Sequence, residues 1–188
     1  HLRIDKNVPD QSIIFIGDSL IQGLAVTAIT PNAINFGIGQ DTTAGIINRI
    51  PLYASLKNAK LIVIAIGVND LAGLTNKQII DNYIRIIDLL PKIKRVLFSA
   101  ILPVKDRESL NNKRIRQLNL ELKKLCLKNE SIYFLNIMKL IVDLQGELDI
   151  KYHIGDGLHL NHIGNKIWIE QLRETINKIN IESEYGEK

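Results

Sequence analysis

The chain has 188 residues, 46% hydrophobic and 23% charged, with a formal net charge of +4 at pH 7. A chain of this length buries roughly 70% of its unfolded surface, enough for one core, and no repeat or low-complexity tract interrupts it. The longest apolar run, 61–66 extended to Val68, falls far short of a membrane span, and the single cysteine, Cys126, excludes an internal disulfide while leaving the redox compartment open.

Residues 1–11 read as a tail. The first strand candidate is the apolar run 13–16, and Gly17-Asp18-Ser19-Leu20 reads as the turn that leaves it. A second candidate strand, 33–36, runs into the glycine-rich stretch Gly37-Ile38-Gly39-Gln40-Asp41-Thr42-Thr43. The third, 61–66, is followed by Gly67-Val68-Asn69-Asp70. Thr75 and Gln78 then form a capping-box signature for a helix that must stop before Pro91. Strand 96–100 follows, and a helix with Ile115, Leu118, Leu122 and Leu125 on one face. Strand 132–137 is the last. After it, Asn161 reads as the N-cap of a terminal helix bearing Ile163, Ile167, Trp168, Leu172, Ile176 and Ile179, and 182–188 read as a second tail. Strands alternating with helices predict a parallel sheet covered on both faces. The expected organisation is one domain over 1–188 with its core at about 12–181.

Ser19 follows a strand that should end at the ligand-binding edge of such a sheet. A serine hydroxyl attacks well only when a base removes its proton. The competing reading makes Ser19 a helix N-cap. His159 is the candidate base, because Asp156 lies three residues before it and can accept its Nδ1 proton within a turn. His153 and His162 compete, but His162 falls in the first turn of the terminal helix and His153 has no comparable orienting partner. His153 is therefore expected to be dispensable. Asn69 offers a side-chain amide for an oxyanion, although Asn also favours turns after strands. The glycine-rich stretch lacks the third glycine of a dinucleotide fingerprint, having Thr42 there.

Taken in order, these four blocks resemble the GDSL, or SGNH, hydrolase superfamily. The resemblance runs from Ile13 to about Ile169, and the stretch from Asn35 to Thr43 resembles the platelet-activating-factor acetylhydrolase-like branch. It implies a flavodoxin-like three-layer α/β/α sandwich on a five-stranded parallel sheet. It also implies a serine esterase for a small acyl group such as acetyl. Ser19, Asp156 and His159 would be its catalytic residues, and Ser19, Gln40 and Asn69 would line its oxyanion hole, with Gly39 as an additional donor. Gln40 stands where the family glycine gives its backbone N–H, a donor that any residue but proline keeps, although glycine accepts unusual backbone angles more freely. Asp18 is expected to secure the turn.

An acyltransferase using the same site, or a silent binding module, is the alternative. No Cys/His cluster has metal-ligand spacing, so neither metal nor cofactor is expected, and the expected partner is a small-molecule ester rather than nucleic acid, with no integral membrane segment. Residues 105–128 carry eight basic side chains against three acidic ones. They read as a solvated helix face, with attraction of anionic ligands as the competing reading. Compartment and oligomeric state do not follow from the sequence.

Overall fold

The computed structural model describes residues 1–92, 94–107 and 110–185, with side chains described as far as Glu182. Five parallel strands, β1 (Ile13–Gly17), β2 (Ala33–Gly37), β3 (Leu61–Ala65), β4 (Arg95–Ser99) and β5 (Ile132–Leu135), form one sheet in the order β2-β1-β3-β4-β5. The helices are α1 (Leu2–Asp5), α2 (Ser19–Gln22), α3 (Thr43–Arg49), α4 (Asn76–Leu89), α5 (Asn112–Cys126), α6 (Met138–Ile141) and α7 (His162–Tyr185).

The period-two alternation of strand side chains divides the core. Ile14, Ile16, Ile62, Ile64, Val96 and Phe98 pack with Ile46 of α3, Ile79, Tyr83 and Ile86 of α4, and Ile115, Leu118 and Leu122 of α5. Their neighbours Ile13, Phe15, Leu61, Val63 and Leu97 face Leu20 and Ile21 of α2 and Trp168, Leu172, Ile176 and Ile179 of α7. Both faces are covered, which is why the strands read as unbroken apolar runs. The result is the expected three-layer α/β/α sandwich. Trp168 is fully buried and donates its Nε1–H to Ser99 Oγ at 3.1 Å, fixing α7 against β4.

Local signals behave as their chemistry demands. Thr75 and Gln78 close a reciprocal capping box on α4, and Leu90, extended before Pro91, ends it. Asn161 Oδ1 accepts the N–H groups of Ile163 and Gly164 at the start of α7. Three expectations change. Cys126 rather than Leu125 completes the buried face of α5, four residues beyond Leu122, and burial pushes its thiol up to about 12. Ile163 is 43% exposed and contributes little to the core.

The third change concerns the ends of the chain. Residues 1–11 are not a loose tail: α1 lies within them, and the buried Asp5 carboxylate accepts the N–H groups of Ala54 (2.9 Å) and Ser55 (3.1 Å) and the Ser55 hydroxyl. The His1 ring also lies 5.2 Å from that of Phe36. At the other end α7 continues through Tyr185, and 186–188 lie outside the described residues. Among the described residues of the basic stretch 105–128, only 112–126 are helical, and Glu108 lies outside the described residues. Lys105 pairs with Asp143 and Glu147, and Arg114 binds the Leu71 and Leu74 carbonyls.

Candidate active site

The site gathers at the carboxyl ends of β1, β2 and β3, where the strand order reverses and open α/β sheets hold their ligands. Immediately after β1, Asp18 caps α2 by accepting the Leu20 N–H at 2.9 Å. Asp18 is thus the N-cap that sequence reasoning had offered for Ser19, and the Ser19 hydroxyl is left half-buried and turned to other work. Ser19 Oγ lies 2.8 Å from His159 Nε2, and His159 Nδ1 lies 2.5 Å from Asp156 Oδ2. Residues 140 positions apart in sequence therefore form one continuous hydrogen-bonded line.

The Asp156–His159 turn is tightly organised. Asp156 Oδ1 accepts the N–H groups of Leu158 (3.0 Å) and His159 (2.9 Å), leaving Oδ2 to the imidazole. Partial desolvation pushes the Asp156 carboxyl up, but hydrogen bonds from the His159 ring and from the two N–H groups outweigh it and hold the group down at about 2. It stays ionised throughout the neutral range. Arg107 donates Nε–H to the Asp156 carbonyl at 2.8 Å, and the Lys105 N–H donates to the Gly157 carbonyl at 2.8 Å, so the loop after β4 clasps this turn.

The glycine-rich loop after β2 carries the predicted departure from the family pattern. Gln40 sits at φ 61°, in the left-handed region, and its side chain is exposed. That conformation costs about 1–2 kcal/mol for a residue with a Cβ, so the preference for glycine here has a steric cause. Gly39, beside it, has no positive φ. The next residue, Asp41, ties the loop down: its carboxylate accepts Arg49 Nε–H at 2.8 Å and the Thr42 N–H at 2.9 Å, and its carbonyl accepts the Asn69 amide at 2.8 Å. One of the two Asn69 Nδ2 hydrogens is therefore spent on the loop, and the other has no partner among the described residues. Arg49, itself buried, also donates to the Phe36 and Gly17 carbonyls at the ends of β2 and β1. Asp70 accepts the Thr43 N–H and hydroxyl, anchoring the start of α3.

The structure thus brings Ser19, His159 and Asp156 into contact and ties the Gln40–Asp41 loop to Asn69. His162 is exposed in the first turn of α7. His153, expected to be dispensable, is buried inside the Asp156–His159 turn, and Arg49, Asp41 and Arg107 brace the site without having been singled out by the sequence. Arg49 and Arg107 donate to backbone carbonyls contributed from elsewhere in the chain, which leave no local motif, and Asp41 joins them through its pair with Arg49. Among the described residues no group of three His, Cys, Asp or Glu side chains is placed to hold a metal ion, and no helix is long and apolar enough to cross a membrane.

Burial pushes the Asp18 carboxyl up to about 7; the Leu20 N–H and His159 draw it back, while Asp41 and Asp70 add to the rise. Because the folded form holds its proton more tightly than the unfolded one, stability falls as pH rises from about 4 to about 7 and stays lowered above that. Asn caps as well as Asp and carries no charge. Asp18→Asn is therefore expected to raise Tm at pH 8 by several degrees, at about 2–4 °C per kcal/mol for a chain of this size, and to leave it nearly unchanged at pH 4. Thermal melts at the two pH values check this, and equal shifts at both would contradict it.

Residues 15–167 match the sequence profile of the GDSL-like lipase/acylhydrolase family. The chain belongs to that family. Membership places it among the hydrolases, and solved structures share its fold. A protein from Streptococcus pneumonia provisionally named a platelet activating factor superposes with a TM-score of 0.85 at 22% identity, covering 93% of this chain and 88% of that one. A GDSL-like lipase from Bacteroides thetaiotaomicron gives 0.82 at 19% identity, covering 94% and 95%. An acetyl xylan esterase gives 0.75 at 22% identity, covering 88% and 99%. Among curated proteins, the N-acylneuraminate cytidylyltransferase of Streptococcus agalactiae serotype III is 27% identical over 173 residues, 90% of this chain. The chain spans 40% of the length of that relative.

Proposed function

We propose that this GDSL-family chain is a serine esterase that cleaves a small acyl group, acetyl first among them, from an oxygen ester, with every part of the site carried by one domain over about 12–181. The observation that carries the reading is the Ser19–His159–Asp156 line, with distances of 2.8 and 2.5 Å. Ser19 Oγ attacks the ester carbonyl as His159 Nε2 takes its proton. His159 then delivers that proton to the departing alcohol, and Asp156 holds the ring and stabilises the imidazolium. The negative oxygen of the tetrahedral intermediate is received by the N–H groups of Ser19 and Gln40, with Gly39 as an additional donor, and by the unspent hydrogen of the Asn69 amide. Water repeats the sequence on the acyl-enzyme, releasing the acid.

Two comparisons support a carbohydrate ester. One fold relative is an acetyl xylan esterase, and the curated relatives act, by their name, on N-acylneuraminates. The test is hydrolysis of p-nitrophenyl esters from acetyl to octanoyl, followed by acetylated xylan and an O-acetylated N-acylneuraminate. Acetyl is expected to be fastest, with free acetate as the product. Appearance of the acyl group on an added alcohol instead of in acetate would establish the acyltransferase reading.

The oxyanion assignment gives unequal expectations for its members. Asn69→Ala removes a donor outright and is expected to lower kcat by about 10²–10³-fold. Gln40→Gly keeps the N–H and relieves the left-handed strain, while adding freedom to the unfolded chain. Activity is expected within a few-fold of the parent, with Tm unchanged or slightly higher. Steady-state kinetics on the acetyl ester decide, and a loss in Gln40→Gly as large as that in Asn69→Ala would assign the work to the Gln40 side chain.

A further inference from the structure

We infer that His153 is a positioning residue for the catalytic base, acting as a neutral hydrogen-bond acceptor around which the Asp156–His159 turn is built. The inference rests on the esterase reading, which gives that turn its task.

The chain enters and leaves the turn through an antiparallel bridge between His153 and Leu160, with the Ile154 N–H donating to the His159 carbonyl at 3.0 Å. Between these points lie Gly155 at φ +104° and Gly157 at φ +69°, conformations that turn their amides in directions ordinary residues avoid. Both amides point at one atom: His153 Nδ1 accepts the Gly155 N–H at 3.0 Å and the Gly157 N–H at 3.1 Å. These two residues bracket Asp156. The backbone on either side of the carboxylate is thus fixed to the same imidazole nitrogen, and Asp156 Oδ2 is aimed at His159 Nδ1 as a consequence.

The tautomer follows from the donors. With two N–H groups directed at Nδ1, that nitrogen carries no proton, and the ring proton resides on Nε2. Nε2 is buried and has no hydrogen-bond partner among the described residues. A buried donor without a partner works against stability. What the ring supplies against this cost is the double acceptor at Nδ1. Leucine fills similar space without an acceptor. Asparagine places Oδ1 where Nδ1 stands, three bonds from Cα in each case, and has lone pairs for both amides.

The experiment compares His153→Leu with His153→Asn in the full chain, using acetyl-ester kinetics, thermal melting and the low-field proton resonance of the His159–Asp156 hydrogen bond. His153→Leu is expected to lower kcat by about 10–100-fold through misplacement of the base, with KM within about twofold, and to broaden or abolish the low-field resonance. His153→Asn is expected to keep kcat within about threefold and to keep the resonance. Parental kcat in a folded His153→Leu variant, or an equal loss in a folded His153→Asn variant, would overturn the inference. If His153→Leu does not fold, the asparagine variant alone decides by the same criteria. Should the parent chain hydrolyse no ester, the esterase reading fails by itself, and the resonance in the two variants still decides whether His153 positions the pair.

Discussion

Ser19→Ala is expected to abolish ester turnover, by about 10⁴-fold or more, while leaving the melting temperature within a few degrees of the parent. On the proposed mechanism no acyl-enzyme forms without the hydroxyl, and what remains is whatever the oxyanion donors achieve with an unaided water, as in serine hydrolases stripped of a nucleophile. The fold is expected to survive because Ser19 is not the cap of α2. Asp18 performs that task, and the strand behind it is held by β2 and β3. A fluorophosphonate supplies the second readout: intact-protein mass spectrometry is expected to find one adduct on the parent, at Ser19, and none on the variant. Adduct formation on another serine, or retained turnover in the variant, would overturn the assignment of the nucleophile. Loss of turnover with a collapsed melting curve would signal a structural defect, and Ser19→Cys would then serve as the smaller perturbation, expected to fold and to keep a thiol able to accept an acyl group.

The parts of this site that were legible in the sequence are those whose chemistry demands a residue type within a short window. Asp156 and His159 are three residues apart because the carboxylate must reach the ring across one turn, and Ser19 follows a strand because that edge of the sheet is where strands deliver side chains. Asn69 was visible for the same reason. The conflict at Gln40 was also foreseeable, since only its side chain and backbone angle were at issue, and its φ of 61° bears out the steric concern. What escaped were the braces. Arg49 reaches the Gly17 carbonyl 32 residues away, and Asp5 caps a turn 49 residues downstream, which made 1–11 look like a tail. Backbone carbonyls have no sequence identity, so contacts to them leave no pattern. His153 escaped differently. Its immediate sequence neighbours show no carboxylate to orient it, and the glycine amides it accepts have no side chains to mark them. The strand runs 13–16 and 61–66 were legible as strands, but because both of their faces are buried, nothing in their composition told which residues would meet α4 and which α7.

The sharpest expectation concerns pH. If His159 is the base, kcat/KM on the acetyl ester falls on the acid side as the imidazole takes up a proton and can no longer accept one from Ser19. Two neighbours compete for the assignment of that limb. Asp156 is held at about 2 and is ionised at neutral pH, so it contributes no limb there. Asp18, pushed up to about 7 by burial, does titrate there. It lies next to the nucleophile, so its own change of charge can also register in the rate. The variants separate the two. Asp18→Asn removes the second titration while keeping the cap, and is expected to retain the acid limb. His159→Ala is expected to remove that limb together with activity, by about 10⁴-fold or more, leaving a residual rate that is flat or rises only with hydroxide. His162→Ala, at the exposed start of α7, is expected to leave both rate and profile alone. An Asp18→Asn variant that loses the acid limb would transfer it to the buried carboxyl, and a His159→Ala variant with full activity would remove His159 from the mechanism altogether. In that second case the 2.8 Å contact from Ser19 Oγ to His159 Nε2 would be a structural hydrogen bond, and the search for a base would return to the other groups around β1.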